Sequence, residues 1–122
     1  MIKVIFDSSF LMAVAENPTT WFEDISERVG AFEAVALDCV AEELTRLAFR
    51  GGSKGRLASV ALQLASGFSR EECGEGDTDG EIISAALSSG AAVATADRHM
   101  ISTLGARRVK VIELRSGRVQ VL

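Results

Sequence analysis

Short runs of almost continuously apolar residues constrain the fold of this chain more than any other feature. The first run, IKVIF at residues 2–6, has apolar side chains at adjacent positions and a single charge. Adjacent residues of a strand point to opposite faces, so such a run is typical of a parallel sheet that is covered on both faces. Comparable runs predict three further strands at residues 34–37, 91–96 and 109–114.

The segments between these runs carry helix and turn signals. We predict helices over residues 8–15, 20–29, 38–50, 56–66 and 97–104, the first of them capped by Ser8 and Ser9. Another helix begins at a capping box in which Thr78 is the cap and Glu81 lies three residues later. The remaining signals predict a turn at 51–55 (GGSKG), a short strand at 68–73 and a terminal hairpin strand at 118–122. Strands that alternate with helices predict an α/β fold, with a mostly parallel sheet and helices on both faces.

Length and composition describe a small globular protein. The 122 residues suit one domain that spans residues 1–122, and 48% hydrophobic with 25% charged residues argues against disorder. The formal net charge of −4 does not favour a generally basic nucleic-acid surface, but it suits a protein that gathers acids around cations. A mean hydropathy of +0.22 suggests that some apolar surface serves self-association, as in a homodimer.

The start of the chain and its cysteines indicate a compartment. MIKVIFD reaches an acid too early for a signal peptide, and no apolar run is long enough to span a bilayer. Cys39 and Cys73 lack metal-finger spacing, and we expect both to be reduced thiols in the core. These features predict a cytoplasmic protein without a membrane partner.

Four acids occupy related places in this scheme. Asp7 follows the first strand and Asp97 follows the strand at 91–96, while Glu43 lies in the helix after the second strand. Asp79 begins the helix that precedes the strand at 91–96. Open α/β sheets bind ligands outside the carboxyl ends of their strands, near the point where the strand order reverses. We therefore expect the four carboxylates to converge there.

Helix geometry distinguishes Glu43 from its neighbour Glu42. At about 100° per residue, Glu43 lies three residues after Val40 and four before Leu47, at the margin of the apolar stripe. Glu42 points away from that stripe, and Arg46 four residues later predicts an ordinary exposed ion pair. Glu43 is therefore the acid that we expect to face the site.

An ordinary structural role is the alternative for several of these acids. Asp38, Asp79 and Asp97 could each be only a helix cap. Convergence would instead create repulsion, since two carboxylates about 6 Å apart repel by roughly 3 kcal/mol at an effective dielectric constant near 20. A divalent cation would compensate that charge, and oxygen-only ligands favour Mg²⁺ or Mn²⁺.

Four motifs in this order resemble the PIN-domain family of metal-dependent ribonucleases, over essentially the whole chain. FDSSF is similar to the family's first-strand motif, DCVAEEL to its strand-to-helix segment, DGEII to its central motif and VATADRHM to its final strand. The resemblance implies a doubly wound, three-layer fold with strand order 3-2-1-4-5. It also implies endonucleolytic cleavage of RNA by a water that one or two Mg²⁺ or Mn²⁺ ions activate.

The resemblance also assigns roles to individual residues. The catalytic, metal-binding acids that it implies are Asp7, Glu43, Asp79 and Asp97. Thr95 matches the hydroxyl beside the last acid, and Asp77 is a candidate outer acid. Ser9 stands where many members have Asn, and its shorter side chain predicts a water between it and its partner. The candidate RNA phosphate contacts are Lys54, Arg56, Arg98 and His99, whereas we expect Arg107 and Arg108 to be ordinary solvated surface.

The biological role remains open between several alternatives. The sequences DCVAEEL and VATADR resemble the branch associated with ribosomal-RNA processing more than the toxin branch. Members of the toxin branch pair with an antitoxin. A partner in ribosome assembly and an antitoxin both stay open, as does a non-catalytic RNA-binding or interaction module on the same fold. Other α/β enzymes fit less well: a dehalogenase-like phosphotransfer site needs a second acid where Ser9 stands, and no G-x-S-x-G elbow or glycine-rich nucleotide cradle is present.

Overall fold

The computed structural model describes all of residues 1–122 and contains six strands and six helices. In chain order the elements are β1 (Ile2–Phe6), α1 (Ser8–Glu16), α2 (Trp21–Val29), β2 (Phe32–Leu37), α3 (Asp38–Arg50), α4 (Gly52–Ala65), β3 (Ser69–Glu71), α5 (Thr78–Ser89), β4 (Ala92–Thr95), α6 (Arg98–Ala106), β5 (Val111–Arg115) and β6 (Arg118–Val121). None of the helices has the length and apolarity needed to cross a membrane.

All six strands form one sheet in the order β3-β2-β1-β4-β5-β6. The pairs from β3 to β5 are parallel, and β6 returns antiparallel to β5 as a hairpin. The predicted α/β class and the order 3-2-1-4-5 are therefore confirmed, with β6 added at one edge. The chain leaves β1 toward β2 and β3 on one side and reaches β4 and β5 on the other, so the strand order reverses between β1 and β4.

The central position of β1 follows from its composition. Val4, Ile5 and Phe6 are fully buried, although adjacent residues of a strand face opposite sides of the sheet. Both faces of β1 are therefore covered, as the apolar run predicted. The ring of Phe6 packs edge-on against Phe10 and Trp21, with centroid distances of 5.3 and 5.5 Å. This core fixes the end of β1, where Asp7 begins the next segment.

The α3–α4 connection differs from the predicted turn. Helix α4 begins at Gly52 rather than at residue 56, and the chain reverses over Gly51 and Gly52, whose φ angles are +74° and +71°. Gly55 then faces α3 so closely that a Cβ atom would lie 3.1 Å from the carbonyl oxygen of Leu47. The glycine-rich segment thus serves mainly as a helix contact, and it brings Lys54 alongside α3.

Two predicted helix caps are wrong. The cap of α5 is Asp77, whose Oδ1 accepts the backbone N–H of Gly80 at 2.8 Å, and Thr78 is the first helical residue. Glu81 accepts a hydrogen bond from the backbone N–H of Gly74 and so does not close a capping box. At α1 the cap position is occupied by Asp7 and no side chain caps the helix, which leaves the hydroxyls of residues 8 and 9 for other partners.

The cysteines also correct the sequence prediction, because Cys39 and Cys73 form a disulfide with a Cα–Cα distance of 6.0 Å. The register of the sheet explains the pairing. Leu37 of β2 is paired with Glu71 of β3, and each cysteine follows its strand by two residues. The bond therefore joins the start of α3 to the segment that leads into α5.

Candidate active site

Asp7 lies at the carboxyl end of β1, and only 5% of the residue is exposed. Its backbone N–H donates to the carbonyl of Ala94 at 2.9 Å, which fixes the position next to β4. The hydroxyls of Ser9 and Thr95 both donate to Oδ2 of Asp7 at 2.7 Å. Both bonds end on the same carboxylate oxygen, so Oδ1 keeps its capacity for another ligand.

Ser9 and Thr95 connect the ends of β1 and β4. The backbone N–H of Ala96 donates to Oγ of Ser9 at 3.0 Å, and that of Asp97 donates to Oγ1 of Thr95 at 3.1 Å. Each hydroxyl therefore accepts from the segment after β4 and donates to Asp7. The prediction of a water between Ser9 and its partner is wrong, because the serine reaches the carboxylate directly.

The acids differ in whether they cap a helix. Asp97 does cap α6, since its Oδ1 accepts the backbone N–H of Met100 at 3.0 Å. Asp79 lies in the first turn of α5 and is not the cap. Asp38 caps nothing and instead forms an ion pair with Arg70 at 3.7 Å. The cap alternative thus accounts for part of the role of Asp97 and for neither of the other two acids.

Glu43 faces the same region from α3. Its side chain accepts a hydrogen bond from the hydroxyl of Ser8, and the residue is half-buried, whereas Glu42 is exposed. The prediction that Glu43, and not Glu42, lies at the inward margin of α3 is therefore confirmed. The predicted ion pair between Glu42 and Arg46 is absent, because the ion pairs of the chain are Lys3–Glu71 and Arg70–Asp38.

The four carboxylates lie close enough for their charges to affect the pKa values of Asp7 and Asp79. Burial raises the pKa of Asp7, opposed by the hydroxyls that donate to it and reinforced by the charges of Glu43 and Asp97. Partial desolvation raises the pKa of Asp79, and the charges of Asp7, Asp97, Asp77 and Glu43 raise it further. No Lys or Arg forms an ion pair with any of the four acids. The site therefore holds mutually repelling carboxylates without a protein cation to compensate them.

The candidate metal ligands around Asp7 are oxygen atoms in an open arrangement. No group of three or more His, Cys, Asp or Glu side chains is arranged to hold a metal by itself. The ligands on offer are carboxylate and hydroxyl oxygens, which suit hard cations and not soft ones. Mg²⁺ commonly keeps several waters and binds through one or two carboxylates, so an open, oxygen-only cluster fits Mg²⁺ or the similar Mn²⁺.

Two of the four predicted RNA contacts lie beside the acids. Lys54 lines a groove together with Ser8, Ser9 and Glu43. His99 lines a smaller pocket with Asp77 and Asp79. Arg56 and Arg98 are exposed and line neither depression.

Sequence reasoning missed two cations of the groove that Lys54 lines. Arg46 and Arg50 also border this groove. Their helical spacing, three and seven residues after Glu43, was the signal that could have indicated them. Assigning Arg46 to an ion pair with Glu42 concealed it.

A comparison with protein families decides the classification. A family model described as PIN like domain matches residues 4–117. The chain belongs to the PIN-like domain family. The resemblance that the motifs indicated is thus confirmed at the level of the family, which includes nucleases. The preference for one branch stays a prediction.

Solved structures of other proteins share the fold. The PIN domain endonuclease Utp24 has a TM-score of 0.77 and 23% identity, over 98% of this chain and 90% of that chain. A domain of a functionally unknown protein from Methanocaldococcus jannaschii has a TM-score of 0.72 and 18% identity, over 100% and 97%. VapBC-1 from nontypeable Haemophilus influenzae has a TM-score of 0.65 and 15% identity, over 92% and 98%. Identities this low show a common fold alone, and no curated protein sequence matches the chain.

Proposed function

We propose that this PIN-like domain is an Mg²⁺- or Mn²⁺-dependent endoribonuclease that hydrolyses phosphodiester bonds of RNA. The observation that carries the proposal is Asp7, which is buried at the carboxyl end of β1 and has one carboxylate oxygen held by the hydroxyls of Ser9 and Thr95. The negative charges of Glu43 and Asp97 raise its pKa, and its own charge raises the pKa of Asp79, which supports a shared role for the four acids. A folded protein gains nothing from repelling carboxylates in one place, so a cationic ligand is the simplest reason for keeping them. Family membership supports a nuclease, since the matched family includes nucleases.

The four acids would hold one or two ions, and Asp7 is the most buried of them. When bound, such ions supply an activated water and charge stabilisation for the leaving oxygen. Ser9 and Thr95 hold Oδ2 of Asp7, which leaves Oδ1 for an ion. Asp77 caps α5 and thereby positions Asp79 two residues later.

A cleavage assay tests whether the protein cuts RNA and whether the cuts depend on a metal ion. Purified protein incubated with single-stranded and structured RNA should cut it with Mn²⁺ or Mg²⁺ and not with a chelator. Asp7→Asn should abolish the cuts, because a neutral amide is a poor ligand for a hard cation. Metal-independent cleavage, or equal cleavage by Asp7→Asn, would contradict the proposal.

A non-catalytic RNA-binding module is the second candidate function. It is favoured by the absence of a closed set of protein ligands for a metal. RNA binding by the wild-type protein without any cleavage, at millimolar Mn²⁺ and with the fold intact, would support this module in place of the nuclease.

The proposed ribonuclease has two candidate biological roles. We favour processing of ribosomal RNA in the cytoplasm, with a toxin of a toxin–antitoxin pair as the alternative. The solved neighbours include a PIN domain endonuclease and a VapBC protein, so likeness of fold does not choose between the two roles. Growth arrest on expression, relieved by a protein encoded beside the chain, would favour the toxin. Self-association also stays a prediction, and sedimentation at micromolar concentration tests it.

A further inference from the structure

A basic groove adjoins the acidic site at Glu43. It has a volume of about 540 Å³ and lies between α1, α3 and the start of α4. Its cations are Arg46, Arg50 and Lys54, and Glu43 stands at the end nearest the acidic site. We refer to this depression, with those three cations, as the basic groove.

We propose that the basic groove holds the single-stranded RNA backbone on one side of the scissile phosphate. The inference rests on the nuclease function proposed above and adds the path of the substrate. The three cations would contact phosphates in succession, and the acids would meet the bond to be cut.

The spacing of the cations fits an extended strand. Glu43, Arg46 and Arg50 share one face of α3, because positions three, four and seven residues apart lie within about 100° of arc. At 1.5 Å per residue, Arg46 and Arg50 are separated by roughly 6 Å along the helix axis. Lys54 continues the row from the first turn of α4, which the close contact at Gly55 holds against α3.

The charges of the basic groove are free to bind a ligand. Arg46, Arg50 and Lys54 are exposed, and none takes part in either ion pair of the chain. The three adjacent cations repel one another. The protein as a whole has a formal net charge of −4, so the groove is a local region of opposite charge. A polyanion removes that repulsion and releases counterions as it binds.

The side chains that line the basic groove indicate whether it distinguishes RNA sequences. Met12 and Leu47 supply its apolar lining, and Ser8 and Ser9 supply hydroxyls. Apolar side chains can contact a ribose or a base face without distinguishing bases, while phosphate contacts carry no sequence information. Binding along the groove should therefore tolerate many sequences.

The smaller pocket beside Asp79 has no such charges in its lining. It is lined by Asp77, Asp79 and His99 and contains no Lys or Arg. A strand that is held firmly in the groove and weakly at this pocket would leave cleavage products of unequal affinity. The groove thus gives the enzyme a direction along the RNA.

The test compares two triple variants that remove the same charge. In the groove variant Arg46, Arg50 and Lys54 are changed to Gln (R46Q/R50Q/K54Q). In the control variant Arg107, Arg108 and Lys110 are changed to Gln (R107Q/R108Q/K110Q). These control residues are exposed and precede β5, at the amino edge of the sheet and away from the acids. Both variants are checked for fold by circular dichroism and thermal melting.

Binding of a labelled single-stranded RNA of mixed sequence is measured in chelator, so that no cleavage occurs, at several salt concentrations. The groove variant should bind about tenfold more weakly or worse, and the slope of log K against log salt should fall by roughly 2 for three lost phosphate contacts. The control variant should keep the wild-type slope. With Mn²⁺, the groove variant should raise KM more than it lowers kcat.

Charge-preserving exchange separates charge from structure. R46K/R50K/K54R should keep the salt slope of the wild type even if its affinity changes. If the groove variant R46Q/R50Q/K54Q proves unstable, Arg50→Gln alone should lower the slope by about 0.7.

A competition experiment tests whether the groove prefers single-stranded RNA. A blunt RNA duplex should displace the labelled RNA less well than an unlabelled single strand does.

The outcomes keep this inference apart from the nuclease proposal. If the wild type cleaves RNA but the groove and control variants have the same affinity and slope, the groove inference fails and the nuclease stands. If the wild type binds with the predicted slope but never cleaves, the nuclease fails and the groove stands as a binding site. Equal competition by duplex and single strand would overturn the assignment to single-stranded RNA.

Discussion

At the scale of single residues, Asp7 combines burial with negative neighbours, and both raise the pKa of its carboxyl. In the unfolded chain this group titrates near its ordinary value of 3.8. Between that value and the raised pKa of the folded state, the folded protein binds more protons than the unfolded chain does. The stability contributed by Asp7 therefore falls as pH rises through this interval, and the deficit persists at neutral pH.

Asp7→Asn should therefore stabilise the metal-free protein at pH 7 while it removes activity. An amide oxygen can still accept the hydroxyls of Ser9 and Thr95, and the buried charge is gone. We expect a gain on the order of 1 kcal/mol, roughly 4 °C in Tm. Melting in chelator between pH 4 and pH 8 measures it, and a lower Tm than the wild type at pH 7 would contradict this reasoning.

Thr95 is fully buried and serves two partners at once. Thr95→Val keeps the shape but removes the donor to Asp7 and the acceptor for the backbone N–H of Asp97. We expect a loss of about 1–3 kcal/mol in the free energy of unfolding, because a buried group is left unpaired. Thr95→Ser is the matched control and should keep most of the stability that Thr95→Val loses, because the hydroxyl is retained. Urea denaturation of both variants measures the two losses. Equal losses would mean that packing of the methyl group matters instead.

At the scale of elements, the disulfide joins the start of α3 to the segment before α5 and so connects the surroundings of Glu43 and Asp79. Its cysteines are 34 residues apart in sequence. Closing a loop of that length should contribute about 3–4 kcal/mol by restricting the unfolded chain.

Reductant should therefore lower the denaturation midpoint of the wild type, and C39S/C73S should start low and not respond. Thiol alkylation followed by mass measurement confirms the oxidation state. A wild-type midpoint that reductant leaves unchanged, with the thiols shown to be reduced, would contradict the expected contribution.

The contact between α3 and α4 depends on Gly55. Alanine normally stabilises a helix interior by about 1 kcal/mol relative to glycine. At this position, however, its Cβ would meet backbone oxygens of Leu47 and Ala48 at 3.1 and 3.2 Å. Gly55→Ala should therefore cost about 1–2 kcal/mol overall and displace the helix that carries Lys54.

Gly105 of α6 provides the control for this substitution, since a Cβ there would meet nothing within 4 Å. Gly105→Ala should stabilise the protein by roughly 0.5–1 kcal/mol. Denaturation of the two variants side by side tests the pair. Stabilisation by both would show that the helices can separate without cost.

Sequence reasoning succeeded for elements that one local pattern determines. The apolar run of β1 required cover on both faces, and the helical phase of α3 placed Glu43 inward. It failed where a distant contact decides. Gly55 packs closely against the backbone of α3, and Cys39 meets Cys73 because β2 and β3 pair in a particular register. Neither contact leaves a periodic signal in the chain.

At the scale of the whole molecule, function is proposed from two regions of opposite charge at one edge of the sheet. The four acids lie at the carboxyl ends of β1 and β4 and along the helices beside them, and the basic groove adjoins Glu43. The acids could be proposed from the sequence because Asp7 and Asp97 follow recognisable strands, Asp79 lies near the start of a helix, and the helix phase selects Glu43. The basic groove was not predicted as a whole, although Lys54 was, because it is formed by three helices, α1, α3 and α4, whose packing the sequence does not display.

The most direct test of the central claim is the rate of Mn²⁺-dependent RNA cleavage by Glu43→Gln and Glu42→Gln. The two positions are adjacent, carry the same side chain and lose the same charge, but only Glu43 faces the acids. Glu43→Gln should slow cleavage at least about 100-fold, while Glu42→Gln should stay within roughly twofold of the wild type. Equal rates for the two variants, or wild-type cleavage by Glu43→Gln, would contradict a carboxylate-bound metal site at this edge of the sheet.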